Sequence, residues 1–180
     1  MKTKLLLLLA AVAAVGMYGC RDVTGGGWMF SSTGEDAKAT FGFNMRCYDI
    51  SGGLLYDLAD GHVTYHDHGL MLGDFNGAYF TGKDARKKLA FNADIKLPVG
   101  EGPLGGLYFV CDENAFYGSY VGEYTPIPPT LGEGGVVYIA AEDGGESGPD
   151  KEDTLEVWLI GGVLDGYYNA GNTQGGNITF

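Results

Sequence analysis

The stretch Lys38-Ala39-Thr40-Phe41-Gly42-Phe43-Asn44-Met45-Arg46-Cys47-Tyr48 decides the fold class. Ala39, Phe41, Phe43, Met45 and Cys47 fall on one side of an extended chain. Thr40, Gly42, Asn44, Arg46 and Tyr48 fall on the other, which is the period of two of a strand with one apolar face. Thr154 to Ile160 repeats the pattern, with Leu155, Val157 and Leu159 opposite Thr154, Glu156, Trp158 and Ile160. No window after residue 19 holds a helical period, and glycine, β-branched and aromatic residues fill the chain. The expectation is an all-β protein, an antiparallel sandwich or barrel in a single domain.

Working outward, further strands are expected at Trp28–Phe30, Leu54–Tyr56, His62–His68, Leu70–Asp74, Ala78–Thr81, Leu89–Ile95, Gly106–Cys111, Phe116–Tyr124, Val136–Ala141 and Leu164–Asn169. Asp60-Gly61, Asn76-Gly77 and Asp165-Gly166 are two-residue hairpin signals between them. Residues 98–135 carry Pro98, Pro103, Pro126, Pro128 and Pro129 among glycines and aromatics, and read as an excursion inserted in the β-domain. The expected layout is a signal peptide over 1–19, an anchor or linker with the first strand over 20–37, and the β-domain over 38–180.

Lys2 and Lys4 precede an apolar run from Leu5 to Val15, too short to cross a hydrocarbon core of ~30 Å. That is the composition of a secretory signal peptide. Gly16-Met17-Tyr18-Gly19-Cys20 resembles a bacterial lipoprotein box, with Cys20 as the lipidated residue and Tyr18 larger than that pattern usually allows. The expected location is the cell envelope, lipid-anchored to a membrane, with soluble secretion as the alternative. Cleavage before Cys20 removes two lysines and no acid, shifting the net charge from −12 to −14. So acidic a chain is a poor partner for nucleic acid. Cys47 and Cys111 then stand either as one disulfide in an oxidising compartment or as two buried thiols.

Gly25-Gly26-Gly27-Trp28, Lys38-Ala39-Thr40-Phe41-Gly42-Phe43, Tyr65-His66-Asp67-His68, Asp143-Gly144-Gly145-Glu146-Ser147-Gly148 and Gly175-Gly176-Asn177-Ile178 occur in this order. Together they resemble the post-COAP domain, a β-rich module of exported bacterial proteins. The resemblance covers most of residues 24–180 and implies fold and location. It carries no activity across. The chain departs from the family in the length of 98–135, and in a lipoprotein-like signal where the family has an anchor domain.

Three constellations could carry chemistry. His62, His66 and His68 share one side of a strand and could offer imidazoles to zinc, although the pattern favours exposed histidines without a metal. Asp143, Glu146, Asp150 and Asp153, on a glycine-rich loop, offer hard oxygens suited to calcium; an ordinary solvated loop is the stronger reading. Tyr117, Tyr120 and Tyr124 could stack on a sugar or a protein from the excursion, or pack inward. No nucleophile elbow is present, and any pair of carboxylates for hydrolysis would be an arbitrary choice. The expected function is a non-catalytic envelope structural or interaction module that binds protein or glycan through loops, with no required cofactor. A calcium- or zinc-stabilised module is the alternative, and an envelope hydrolase ranks last.

Overall fold

The computed structural model describes residues 20–48, 58–95, 110–111, 117–145 and 153–179, with backbone only at 20–21, 47–48, 58–59, 110–111 and 117–120. Those residues form β1 (Cys20–Ser31), β2 (Gly34–Tyr48), β3 (Leu58–Met71), β4 (Lys88–Ile95), β5 (Val110–Cys111), β6 (Tyr117–Pro126), β7 (Gly135–Glu142), β8 (Thr154–Ile160), β9 (Tyr168–Asn172) and β10 (Gly175–Thr179). The strands make one sheet in the order β10-β1-β2-β3-β4-β6-β7-β8-β9, with β5 beside β6 and every pairing antiparallel. This is an all-β single domain, a meander curled into a half-barrel rather than two sheets face to face.

The two edge strands are consecutive in the chain. Only Thr173 and Gln174 separate β9 from β10, and each runs antiparallel to its partner, β8 and β1 respectively. One extended path therefore pairs first with β8 and then with β1. At the crossing the Thr173 N–H donates to the Asp153 carbonyl at 2.7 Å and the Gln174 N–H to the Trp28 carbonyl at 2.8 Å. With β9 and β10 counted as one path, the meander has eight positions, a size whose interior side chains can fill.

The alternation read from the sequence sets which side chains do so. Ala39, Phe41, Phe43 and Met45 of β2, Val63 and Tyr65 of β3, Phe91, Ala93 and Ile95 of β4, and Leu155, Val157 and Leu159 of β8 are all buried. Full burial of such a side chain contributes roughly 1.5–3 kcal/mol. Helix α1 (Leu72–Asn76) follows β3 and packs Leu72 and Phe75 against the core at a helical spacing of three. Phe80, Leu131, Val163 and Leu164, from the connections between strands, complete the plug at that end.

Several local expectations give way to this architecture. The first strand, expected at Trp28–Phe30, begins at Cys20 and is flanked by β2 and β10. Asp60-Gly61 lies inside β3; glycine is needed there because a Cβ at Gly61 would strike the Asn44 carbonyl and Met45 of β2. Leu70–Asp74 ends a strand and begins α1, Ala78–Thr81 is turn, and β9 starts only at Tyr168. Asp165-Gly166 does turn the chain, with Gly166 at φ +83°. The 98–135 segment is not a mere excursion, since β6 sits between β4 and β7 in the sheet. Its Pro126 stands at the strand terminus, where the missing N–H costs no ladder bond within the strand. Leu54–Tyr56 lies outside the described residues.

The β1–β10 seam depends on glycine. A Cβ on Gly27 would land on the Gly175 carbonyl, and one on Gly176 would land on the Gly26 carbonyl. Gly42 is the contrast: it lies in β2 with open space where its Cβ would be. Gly27→Ala is expected to lower the urea midpoint by an amount equivalent to about 2 kcal/mol, from overpacking against backbone. Gly42→Ala should raise stability by up to about 1 kcal/mol by relieving the entropy of a strand glycine. Equal effects of the two substitutions would show that the seam is not closely packed.

Candidate functional site

The most concentrated polar group among the described residues is internal. Asp67, fully buried on the inner face of β3, accepts six hydrogen bonds. Its Oδ1 receives them from Ser31 Oγ at 2.5 Å, the Gly69 N–H at 2.9 Å and the Leu70 N–H at 3.2 Å. Its Oδ2 receives them from Ser32 Oγ at 2.7 Å, the Ser32 N–H at 3.2 Å and the Tyr167 hydroxyl at 2.9 Å. Because Tyr167 gives its proton to Asp67, the 2.8 Å contact between the two tyrosine hydroxyls has Tyr65 as donor. Asn169 Nδ2 in turn donates to Tyr65 Oη at 2.7 Å and to the Phe30 carbonyl at 3.0 Å. The proton order is thus fixed as Asn169 to Tyr65 to Tyr167 to Asp67.

Burial alone would raise the Asp67 pKa. The bonds from Ser31, Ser32, Tyr167 and the Gly69 N–H outweigh it and hold the carboxyl below its ordinary value. Desolvation pushes the Tyr65 and Tyr167 hydroxyls well up, so both stay neutral donors. This cluster joins β1, β3 and β9 from inside, and its oxygens are saturated. It acts as a structural latch between those strands.

Asp153 is spent in the same way. Its Oδ1 accepts from the Gly144 N–H at 3.0 Å and its Oδ2 from the Ile178 N–H at 2.6 Å, bracing β10 against the β7–β8 connection. Asp143 Oδ1 accepts from the Gly145 N–H at 2.7 Å in a local turn, and Glu146 and Asp150 lie outside the described residues. His62 Nδ1 meets Asp94 Oδ1 at 3.1 Å, whereas the rings of His66 and His68 lie 4.0 Å apart, with His68 Nε2 3.0 Å from Thr40 Oγ1. The three histidines share the outer face of β3, as the alternation implies, but His62 is engaged separately. Among the described residues no group of three His, Cys, Asp or Glu side chains could hold a metal ion.

Tyr124 is buried, not presented to a ligand. Its hydroxyl donates to the Gly161 carbonyl at 2.5 Å and accepts from the Leu164 N–H at 3.0 Å, tying β6 to the β8–β9 turn. The side chains of Tyr117 and Tyr120 lie outside the description, as do the sulfurs of Cys20, Cys47 and Cys111.

The outer face divides in two. Across β1–β4 it is mostly polar, apart from Trp28 and Phe30, whose rings meet at 5.9 Å with Lys38 Nζ 3.8 Å from the Trp28 ring: Arg46 Nε pairs with Asp22 at 2.7 Å, Thr64 bonds Asn92 at 3.1 Å, and Asn44, Arg46, Asp60, His62 and Asp94 line a shallow depression of about 490 Å³. Such exposed pairs contribute at most about 1 kcal/mol each. Across β7–β9 it is aromatic. Tyr138 stands opposite Trp158, and Trp158 opposite Tyr168. Their neighbours Val137, Ile139, Val157, Leu159, Tyr167 and Asn169 point inward, so the three rings share the outer face. Trp158 and Tyr138 are half-buried and Tyr168 is 53% exposed. Burial and the nearby Glu156 carboxylate, two residues from Trp158 on the same face, raise the Tyr168 hydroxyl above its ordinary pKa.

Sequence reading placed Trp158 on the polar side of its strand but gave that no weight. The available signal was an aromatic at an outward position in three successive strands; alignment of those positions depends on register, which the sequence does not display. No family model, no curated protein and no solved structure matches this chain.

The Asp67 latch has a defined pH signature. A carboxyl whose folded pKa is depressed adds stability that is complete above its unfolded value of about 3.9 and is lost as pH falls through the folded value. Asp67→Asn is expected to cost about 3 kcal/mol at neutral pH, because an amide cannot accept from donors on both sides. The stability gap between wild type and variant should narrow below about pH 4 in urea titrations. A gap independent of pH would mean that Asp67 is not held ionised by these donors.

Proposed function

We propose that this protein is a non-catalytic binding module of the bacterial cell envelope, exported and held at a membrane by lipid on Cys20, and that it engages its ligand with the outer face of β7–β9. The in-register row Tyr138–Trp158–Tyr168 carries the reading. Tyr and Trp are the side chains that hold an interface while tolerating water, since each couples a large apolar area to a polar tip. The internal carboxylates Asp67 and Asp153 are occupied as hydrogen-bond acceptors, which counts against a hydrolase built on them. The same occupation of Asp153 weighs against the calcium-stabilised alternative.

The binding surface assigned here is a sheet face, where the sequence pointed to loops of 98–135. Four of the five motifs behind the post-COAP resemblance fall in β1, β2, β3 and β10, which are contiguous in the sheet. Gly27 and Gly176, from two of those motifs, are paired across the seam, where a Cβ on either would strike backbone. With β1 starting at Cys20, a lipid there would hold the domain at the membrane with no spacer between anchor and sheet.

Expression of the full chain in a bacterial host tests both halves of the reading. Cys20→Ala should move the protein from the detergent-soluble membrane fraction to the aqueous one. Trp158→Ala with Tyr168→Ala should leave anchoring intact and reduce cosedimentation of the purified protein with isolated envelope fragments about tenfold. Unchanged cosedimentation of a folded double variant would remove β7–β9 as the binding face.

A further inference from the structure

The aromatic row does not stand alone; the positions around it are graded. On one side of Tyr138–Trp158–Tyr168 lies the pair Val136–Ile160. On the other comes the rank Ala140–Glu156–Ala170, in which two small residues flank a single carboxylate. Beyond that is a fully polar rank, Glu142–Thr154–Asn172, where Thr154 Oγ1 donates to Glu142 Oε2 at 3.4 Å. The face thus runs from aliphatic through aromatic to hydrogen-bonding across four ranks of the sheet.

Taking the β7–β9 face as the binding surface, we infer that its ligand is an extended neutral glycan lying across the strands along Tyr138, Trp158 and Tyr168. Three features argue for this chemistry. Neighbouring strands are about 4.8 Å apart, close to the advance of one pyranose along an extended β-linked chain, so the three ring positions address successive sugars. A pyranose presents C–H groups on its faces and hydroxyls around its rim. Rings can stack on the former, while Glu156 and the Thr154–Asn172 rank accept and donate to the latter. The charge of the chain, −12 before and −14 after cleavage at Cys20, repels polyanions and leaves an uncharged polyol as the compatible polymer. A flat protein partner would be matched by an apolar centre ringed on all sides by polar residues, not by a gradient running in one direction.

Trp28→Phe leaves Trp158 as the single tryptophan and so as a reporter within the face. Titration of that variant with cellohexaose, xylohexaose and mannohexaose should change its fluorescence with at least one of them, and polygalacturonate should leave it unchanged. Tyr168→Ala should weaken that binding about tenfold with the circular dichroism spectrum unchanged. In parallel, envelope fragments treated with periodate, which cleaves vicinal diols, should lose the ability to sediment the protein, and protease-treated fragments should keep it. The reverse result, loss with protease and retention after periodate, overturns the glycan assignment and identifies a protein partner. It would leave the binding face itself intact, provided that the Trp158→Ala, Tyr168→Ala protein still fails to sediment. Tighter binding to polygalacturonate than to the neutral sugars would also overturn the inference.

Discussion

Everything in this structure depends on closing the sheet with a buried negative charge. Asp67 has no partner cation among the described residues, so its ionised form rests on six hydrogen bonds. An unpaired carboxylate in an apolar interior is costly, and the cost is met only while every donor stays in place. Ser31 and Ser32 come from the β1–β2 hairpin, Gly69 and Leu70 from the end of β3, and Tyr167 from the turn before β9. Separation of β9 from β1 would strip Tyr167 from Asp67 and Asn169 from Phe30 together. The network therefore converts many weak contacts into a near all-or-none closure.

The inner face was legible in the sequence and the connections were not. Period-two alternation in Lys38–Tyr48 and Thr154–Ile160 named core residues correctly, because half-burial imposes that period directly. Asp60-Gly61 misled because the same dipeptide serves a turn and a close strand contact. Pro126 misled because proline at a strand end looks like proline in a loop. The short α1 was invisible: two apolar residues three apart, Leu72 and Phe75, are too few to define a helical period. Tyr124 could be read as facing out or packing inward, because the partners that settle it, Gly161 and Leu164, lie about forty positions away.

The outward aromatic row of β7–β9 was hidden for a related reason. Each of its aromatics is unremarkable in its own strand, and the row exists only through register. Register comes from the hydrophobic pattern of three strands acting together, where a slip of one residue would send Tyr138, Trp158 and Tyr168 into the core. Interior packing thus positions the exterior rings, and the two faces are specified by the same alternation.

The joining of β9 to β10 bears on the order in which the chain can close. Thr24 and Thr179, paired across the seam, are 155 positions apart, and the Asp67 donors span from Ser31 to Tyr167. A chain emerging from its N-terminus can assemble β1 to β4 as successive hairpins, yet it cannot saturate Asp67 or cover the free edge of β1 until the last strands arrive. Topology thereby delays commitment to the fold until nearly the whole chain is available.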